Sequence, residues 1–220
     1  APPAGRPGKI LAVGLNYADH VAETGRELPS LPTIFAKLPT SATGPYDDVE
    51  RPFVSTEVDY EAELGIVIGR RCRHVPRERA HEVIGGYVAV NDVSVRDWQL
   101  RTPQWVLGKS FDTHCPYGPW IVTGDEVDPH ALGIRCLVNG EVRQSSSTAH
   151  LIFDCFTIVE HLSTVCTLEP GDLIATGTPG GVGRAMKPPR FLAAGDVVRV
   201  EIEGIGALEN RIVDEARPAG

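Results

Sequence analysis

Positive charge is what this sequence most plainly lacks: 21 Lys and Arg stand against 29 Asp and Glu, a net charge of −8 over 220 residues. No basic cluster is longer than Arg70, Arg71 and Arg73, so the electrostatic footprint of a nucleic-acid binder is missing. Long apolar runs are missing too. The longest stretch free of Asp, Glu, Lys and Arg is 113–124, whose 12 residues include a histidine and two prolines. That is well short of the about 20 residues that cross a bilayer. The five cysteines, at 72, 115, 136, 155 and 166, include no C-x-x-C pair, which argues against a disulfide framework and a structural zinc site. They read as reduced thiols of a cytoplasmic protein. The chain begins without an initiating Met and without the charged and apolar segments of a signal peptide, so residues 1–8 are expected to be the linker remnant of a longer protein.

What is present is enough for a real core, with 42% apolar residues. The 23 Gly and 18 Pro punctuate the chain without gathering into a linker, which predicts one continuous domain over 9–217. Val58, Tyr60, Ala62, Leu64, Ile66 and Ile68 recur at period two and predict a strand over 58–68 with that face buried. A second strand is predicted over 86–91. Residues 134–138 and 141–144 flank Asn139-Gly140, the signature of a hairpin closed by a type I′ turn. Strands are also predicted at 173–176 and at 197–202, and helices at about 149–164, 17–24 and 76–83. Strands outnumber helices and do not alternate with them, so the fold class is α+β.

On the other face of the 58–68 strand stand Asp59, Glu61 and Glu63, spaced about 7 Å apart with no Lys or Arg beside them. A solvated strand face is the bland reading. The sharper one is a hard divalent cation, since clustered carboxylates without a basic neighbour raise each other's pKa or recruit such an ion. Asp92 closes the next apolar strand and offers a further oxygen ligand, or caps that strand end. Lys109 lies among apolar and small residues, where it could hold a developing enolate or stand as a surface lysine. His20 and Glu23 share a helix face, an arrangement that suits a general base and also arises by chance. The 175–183 segment leaves a strand as a glycine-rich turn matching neither a P-loop nor G-x-G-x-x-G, and reads as a carboxylate-binding or structural loop.

In this order the pieces resemble the catalytic domain of the fumarylacetoacetate hydrolase family. The resemblance rests on Gly14-Leu15-Asn16-Tyr17-Ala18-Asp19-His20, on Asp59-Tyr60-Glu61-Ala62-Glu63-Leu64, on Asn91-Asp92-Val93-Ser94 with Arg96-Asp97, and on Lys109-Ser110-Phe111-Asp112. It continues through Gly118-Pro119, Thr176-Gly177-Thr178-Pro179 and Glu203-Gly204-Ile205-Gly206, and so spans nearly the whole chain. It implies a β-rich, mixed-sheet barrel or roll flanked by a few helices, commonly a homodimer. It also implies Mg²⁺ or Mn²⁺ held by Glu61, Glu63 and Asp92, with His20 and Glu23 on a short lid helix activating water. Lys109 matches a catalytic lysine, Arg96, Gln99 and Thr178 match substrate-contacting positions, and Lys37 matches a further lysine that is placed with them as substrate-binding. Val13 stands where the eukaryotic fumarylacetoacetase has a fourth acidic ligand, which argues against that activity. Many bacterial members carry a small domain before the point where this chain begins.

The expected chemistry acts on 2-oxo acids, whose C1 carboxylate and C2 carbonyl can chelate a metal that stabilises the enolate. Hydrolysis of the C–C bond of a 2,4-diketo acid, of the acylpyruvate type, comes first in this reading. Oxaloacetate-type decarboxylation and isomerisation of a 2-hydroxydienoate on the same site are the alternatives, and a catalytically silent metal-binding dimer is the remote one.

Overall fold

The computed structural model describes residues 1–217. A seven-stranded mixed sheet runs, in spatial order, Thr33–Lys37, Ile10–Gly14, Leu173–Ala175, Ala62–Ile68, Ile84–Asn91, Cys115–Val122 and Ala42–Thr43. A five-stranded sheet runs Glu141–Ser147, Gly133–Val138, Val197–Ile202, Gly206–Asp214 and Val49–Arg51. The two sheets close on each other as a β-rich roll. Ile134, Cys136, Val198, Val200 and Leu208 of the smaller sheet share a core with Leu64, Ile66 and Ala89 of the larger one and with the Cys155–Val165 helix. The opposite face of the large sheet carries its own apolar cluster around Ile10, Val67, Val90 and Tyr117.

Cover on both faces explains one departure from the period-two reading. Every residue of Ala62–Ile68 is buried, rather than one face alone, as happens when a central strand is covered on both sides. The 58–68 segment is also not one strand. Val58–Asp59 pairs with Ser94–Val95 in a separate ribbon, and the chain re-enters the large sheet at Ala62. The break at Tyr60 and Glu61 carries Asp59 away from Glu61 and Glu63, so the three do not form one row.

The hairpin is as its turn chemistry predicts: Asn139 and Gly140 adopt φ of 52° and 79° between Gly133–Val138 and Glu141–Ser147. Predicted strands at 86–91 and 173–176 correspond to Ile84–Asn91 and Leu173–Ala175, and Val197–Ile202 has its predicted bounds. The helix expected over 149–164 instead begins at Cys155. Asp154 caps it by accepting from Thr157 N–H at 2.8 Å, and Thr148–His150 forms a separate 3₁₀ turn. Residues Arg77–Glu82 are likewise 3₁₀ rather than α-helical. The short helix predicted over 17–24 is Ala18–Glu23. No helix among the described residues is long and apolar enough to cross a membrane.

Candidate active site

The break in the 58–68 segment and the end of the Ile84–Asn91 strand bring three buried carboxylates together. Glu61, Glu63 and Asp92 each offer an oxygen within 4.8 Å of the others. Backbone pairing fixes this geometry: Asp92 N–H donates to the Glu61 carbonyl at 2.9 Å, and Glu61 N–H donates to Asn91 Oδ1 at 3.0 Å.

The absence of basic residues along the strand is corrected by the tertiary fold, which supplies them from elsewhere. Lys109 Nζ donates to Glu61 Oε2 and to Asp92 Oδ2, both at 2.6 Å. Lys37 Nζ donates to Asp92 Oδ1 at 2.7 Å, and Arg96 Nη1 lies 2.7 Å from Glu61 Oε1. Burial opposes ionisation of Glu61, but the Lys109 and Arg96 charges overcome it and hold the carboxyl far below the usual range. Lys109 shows the mirror image: burial disfavours its charge, and Asp92 and Glu61 hold its pKa above the ordinary lysine value. Glu63 has no such partner. It accepts from Gly177 N–H at 2.7 Å, and burial together with the Asp92 and Glu61 charges pushes its pKa well above the usual carboxylate range.

Glu61, Glu63, Lys109, Arg96, Gln99 and Thr178 line one cavity of about 240 Å³, and His20 and Glu23 line it as well. His20 Nδ1 lies 2.8 Å from Glu23 Oε1, and the second Glu23 oxygen accepts from Gly181 N–H at 2.8 Å. The helix carrying this pair is therefore tied to the glycine-rich loop, and the His20 Nε2 edge is the one left for a ligand. Lys37 and Asp92 do not line the cavity and sit behind it, fully buried.

Sequence reasoning missed the braces of this site. Asn16 donates to the Phe153 and Thr176 carbonyls at 2.9 and 2.7 Å, pinning the root of the short helix to the glycine loop. Gln144 accepts from Ala62 N–H at 2.9 Å and donates to Thr178 Oγ1 at 2.8 Å. Thr178 in turn donates to the Ala62 carbonyl at 2.9 Å, so its hydroxyl is committed to the scaffold. Asp59, parted from the carboxylate row, accepts from Arg96 Nε at 2.8 Å and from the Gly183 and Arg184 N–H groups at 2.8 and 3.0 Å. No local pattern marks Gln144, and the motif that contains Asn16 does not reveal its bracing role, because the partners of both lie across the fold.

Comparison with protein-family models matches residues 9–213 to the fumarylacetoacetate (FAA) hydrolase C-terminal family. The chain belongs to the fumarylacetoacetate hydrolase family. Among relatives of this family, the mitochondrial oxaloacetate tautomerase Fahd2a of Rattus norvegicus is 47% identical over 213 residues, covering 96% of this chain and 68% of that protein. Among solved structures, 5-carboxymethyl-2-hydroxymuconate delta-isomerase from Mycobacterium smegmatis superposes with a TM-score of 0.87 at 46% identity, over 96% of this chain and 81% of that one. The 2-hydroxyhepta-2,4-diene-1,7-dioate isomerase from Mycobacterium marinum gives a TM-score of 0.86 at 43% identity, over 96% and 77%.

Whether this member of the fumarylacetoacetate hydrolase family can hold a divalent ion is decided by its charges. Asp59, Glu61, Glu63 and Asp92 are buried around Lys37, Arg96 and Lys109, four carboxylates against three cations. The carboxylate in excess is Glu63, the one without an ion pair and with its charge disfavoured. An all-oxygen cluster with one uncompensated carboxylate suits a hard cation such as Mg²⁺ or Mn²⁺, and the residues fit it.

Proposed function

We propose that the protein catalyses proton transfer on a 2-oxo acid, interconverting its keto and enol forms in the manner of an oxaloacetate tautomerase or a 2-hydroxydienoate isomerase. A bound Mg²⁺ or Mn²⁺ held by Glu61, Glu63 and Asp92 would supply Lewis acidity to the substrate's C1 carboxylate and C2 carbonyl oxygens. His20 takes the C3 proton in the enolising direction and returns it in the other, with Glu23 on Nδ1 holding the ring so that Nε2 meets the substrate. Lys109 spends two of its three donors on Glu61 and Asp92, which keeps their oxygens aimed at one point, and has the third for the enolate oxygen. The committed Thr178 hydroxyl leaves its backbone N–H as the group for the substrate carboxylate. Gln99, whose amide oxygen accepts from Arg96 Nη1 at 3.0 Å, lines the cavity and has its amide nitrogen as the donor for substrate.

The observation that carries this reading is that the His20–Glu23 pair and two of the three clustered carboxylates line the same small cavity. Relatives named as a tautomerase and as isomerases support proton transfer ahead of the C–C hydrolysis that the sequence alone put first. The test follows enol absorbance and pyruvate release with oxaloacetate, a 2-hydroxydienoate and acetylpyruvate, with and without Mg²⁺. We expect metal-dependent loss of the oxaloacetate enol without stoichiometric pyruvate. Fast pyruvate release from acetylpyruvate, with no acceleration of the enol–keto step, would overturn the reading in favour of hydrolysis. A homodimer belongs to the same proposal and is checked by light scattering.

A further inference from the structure

The cations around the cavity are of two kinds. Arg96 and Lys109 are buried and already committed: Arg96 is ion-paired to Asp59 and Glu61 and donates to Gln99, and Lys109 bridges Glu61 and Asp92. Their charge is spent on the metal-binding end. Arg26 and Arg184 are exposed while lining the same cavity, so they sit where it opens to solvent. Among the described residues no carboxylate lies within ion-pair distance of either guanidinium. What contacts they make leave the guanidinium forks open. Arg26 lies over the Trp105 ring at 5.5 Å, and Arg184 is anchored by its backbone N–H on Asp59. One follows the helix that carries His20 and Glu23, and the other belongs to the Gly183–Ala185 turn after the glycine loop.

We propose that Arg26 and Arg184 form a clamp for a second carboxylate, at the end of the substrate remote from Glu61 and Glu63. Arg26 and Arg184 are then the residues that make the site prefer 2-oxo dicarboxylic acids, the class to which oxaloacetate belongs, over 2-oxo acids with neutral tails. This rests on the proton-transfer reading above for which end of the substrate faces the carboxylates. Between the two ends the walls include Phe35, Leu100 and Trp105, which suit a short carbon chain and offer little to a neutral polar tail. A guanidinium fork matches a carboxylate with two parallel hydrogen bonds, and two unpaired forks on one opening in a chain of net charge −8 focus an anion there. Because Arg26 follows the helix bearing the His20–Glu23 pair, the second carboxylate also biases the position of that helix.

The test is calorimetric binding to the Mg²⁺-loaded protein of 2-oxoglutarate and of 2-oxovalerate, which differ in the second carboxylate. We expect the dicarboxylate to bind about tenfold or more tightly than its partner, from one charge-assisted contact upward. In Arg26→Gln and in Arg184→Gln that preference falls about tenfold, and rising ionic strength erodes it in the wild type. Arg73→Gln, at an exposed position that does not line the cavity, keeps the preference. Equal affinity of the wild type for the two acids, no detectable binding of 2-oxoglutarate, or a preference that survives the Arg26→Gln/Arg184→Gln double variant would overturn the clamp. Loss of the clamp with enolisation intact leaves the proton-transfer reading standing. A clear dicarboxylate preference in a protein that does not enolise oxaloacetate does the reverse.

Discussion

At the scale of single residues the molecule concentrates its cost in buried ionisable groups, and His114 shows this away from the cavity. Its ring is fully buried and donates from Nε2 to the Glu50 carbonyl at 2.8 Å, while Nδ1 has no partner. Burial pushes its pKa down from 6.5 to about 3. In the unfolded chain the imidazole takes a proton as pH falls below its ordinary value, whereas in the folded protein it stays neutral until much lower pH. The stability tied to this group is therefore complete above the ordinary histidine pKa and is lost progressively as pH falls toward the folded value. We expect urea unfolding to show a loss of about 1 kcal/mol per pH unit between pH 6.5 and 4.5 attributable to this ring. His114→Asn, which keeps a donor for Glu50, should flatten that slope, and an unchanged slope would count against the assignment. Residues of this kind were hardly legible in the sequence. Glu61, Glu63, Asp92, His20 and Glu23 could be singled out because motifs place them; motifs also contain Asn16 and Asp59 without revealing what they hold, and His114 and Gln144 stand in none, because all four act through partners far along the chain.

At the scale of elements, local chemistry predicted well where it decides the structure and failed where tertiary cover decides it. The Asn139-Gly140 hairpin follows from the positive φ its turn demands, and nothing lies within 4 Å of a Cβ built on Gly140. Gly140→Ala should therefore cost about 1 kcal/mol in thermal or urea unfolding, from backbone conformation alone. A loss several times larger would mean that the turn is packed in a way its surroundings do not show. The 58–68 strand was misjudged because alternation cannot report cover on both faces or a break that rejoins another ribbon. The Ala18–Glu23 helix is short and has no side-chain cap, and from its last two residues onward 22–28 are exposed. It is held by buried Val21 and by the Glu23 bond to Gly181 N–H. An element with so few buried contacts opens at low free energy. Hydrogen exchange across 17–26 should be fast in the free protein and slow when oxalate and Mg²⁺ are added, and equal rates in both states would rule out its closing over a ligand.

At the scale of the whole molecule, the site gathers residues 20–23, 61–63, 92–99, 109 and 177–184, segments that span most of the chain. No single segment could hold four carboxylates and three cations out of water, since each charge is tolerated only through partners the fold brings to it. The order of motifs in the sequence therefore revealed which family the roll belongs to, while the charge balance inside it became visible only once Lys37, Arg96 and Lys109 were seen to converge. That balance leaves Glu63 as the carboxyl whose ionisation the metal-free fold resists. Divalent-ion binding should then release a proton from Glu63 at pH values below its raised pKa, and affinity should strengthen as pH rises toward that value and level off above it. Because the ion binds only the assembled site, it should also stabilise the entire domain, by about 2.7 kcal/mol at a concentration one hundred times its Kd. We expect millimolar Mg²⁺ to raise Tm, by more as pH rises, and Glu63→Gln to remove both the shift and its pH dependence while leaving the metal-free protein at least as stable as the wild type. That variant keeps the side chain's shape and its acceptor for Gly177 N–H, so loss of the Mg²⁺ effect without loss of fold isolates the carboxylate as a ligand. A Tm that ignores Mg²⁺ in the wild type would mean that the excess carboxylate is kept as a buried acid and that Glu61, Glu63 and Asp92 do not form a metal site.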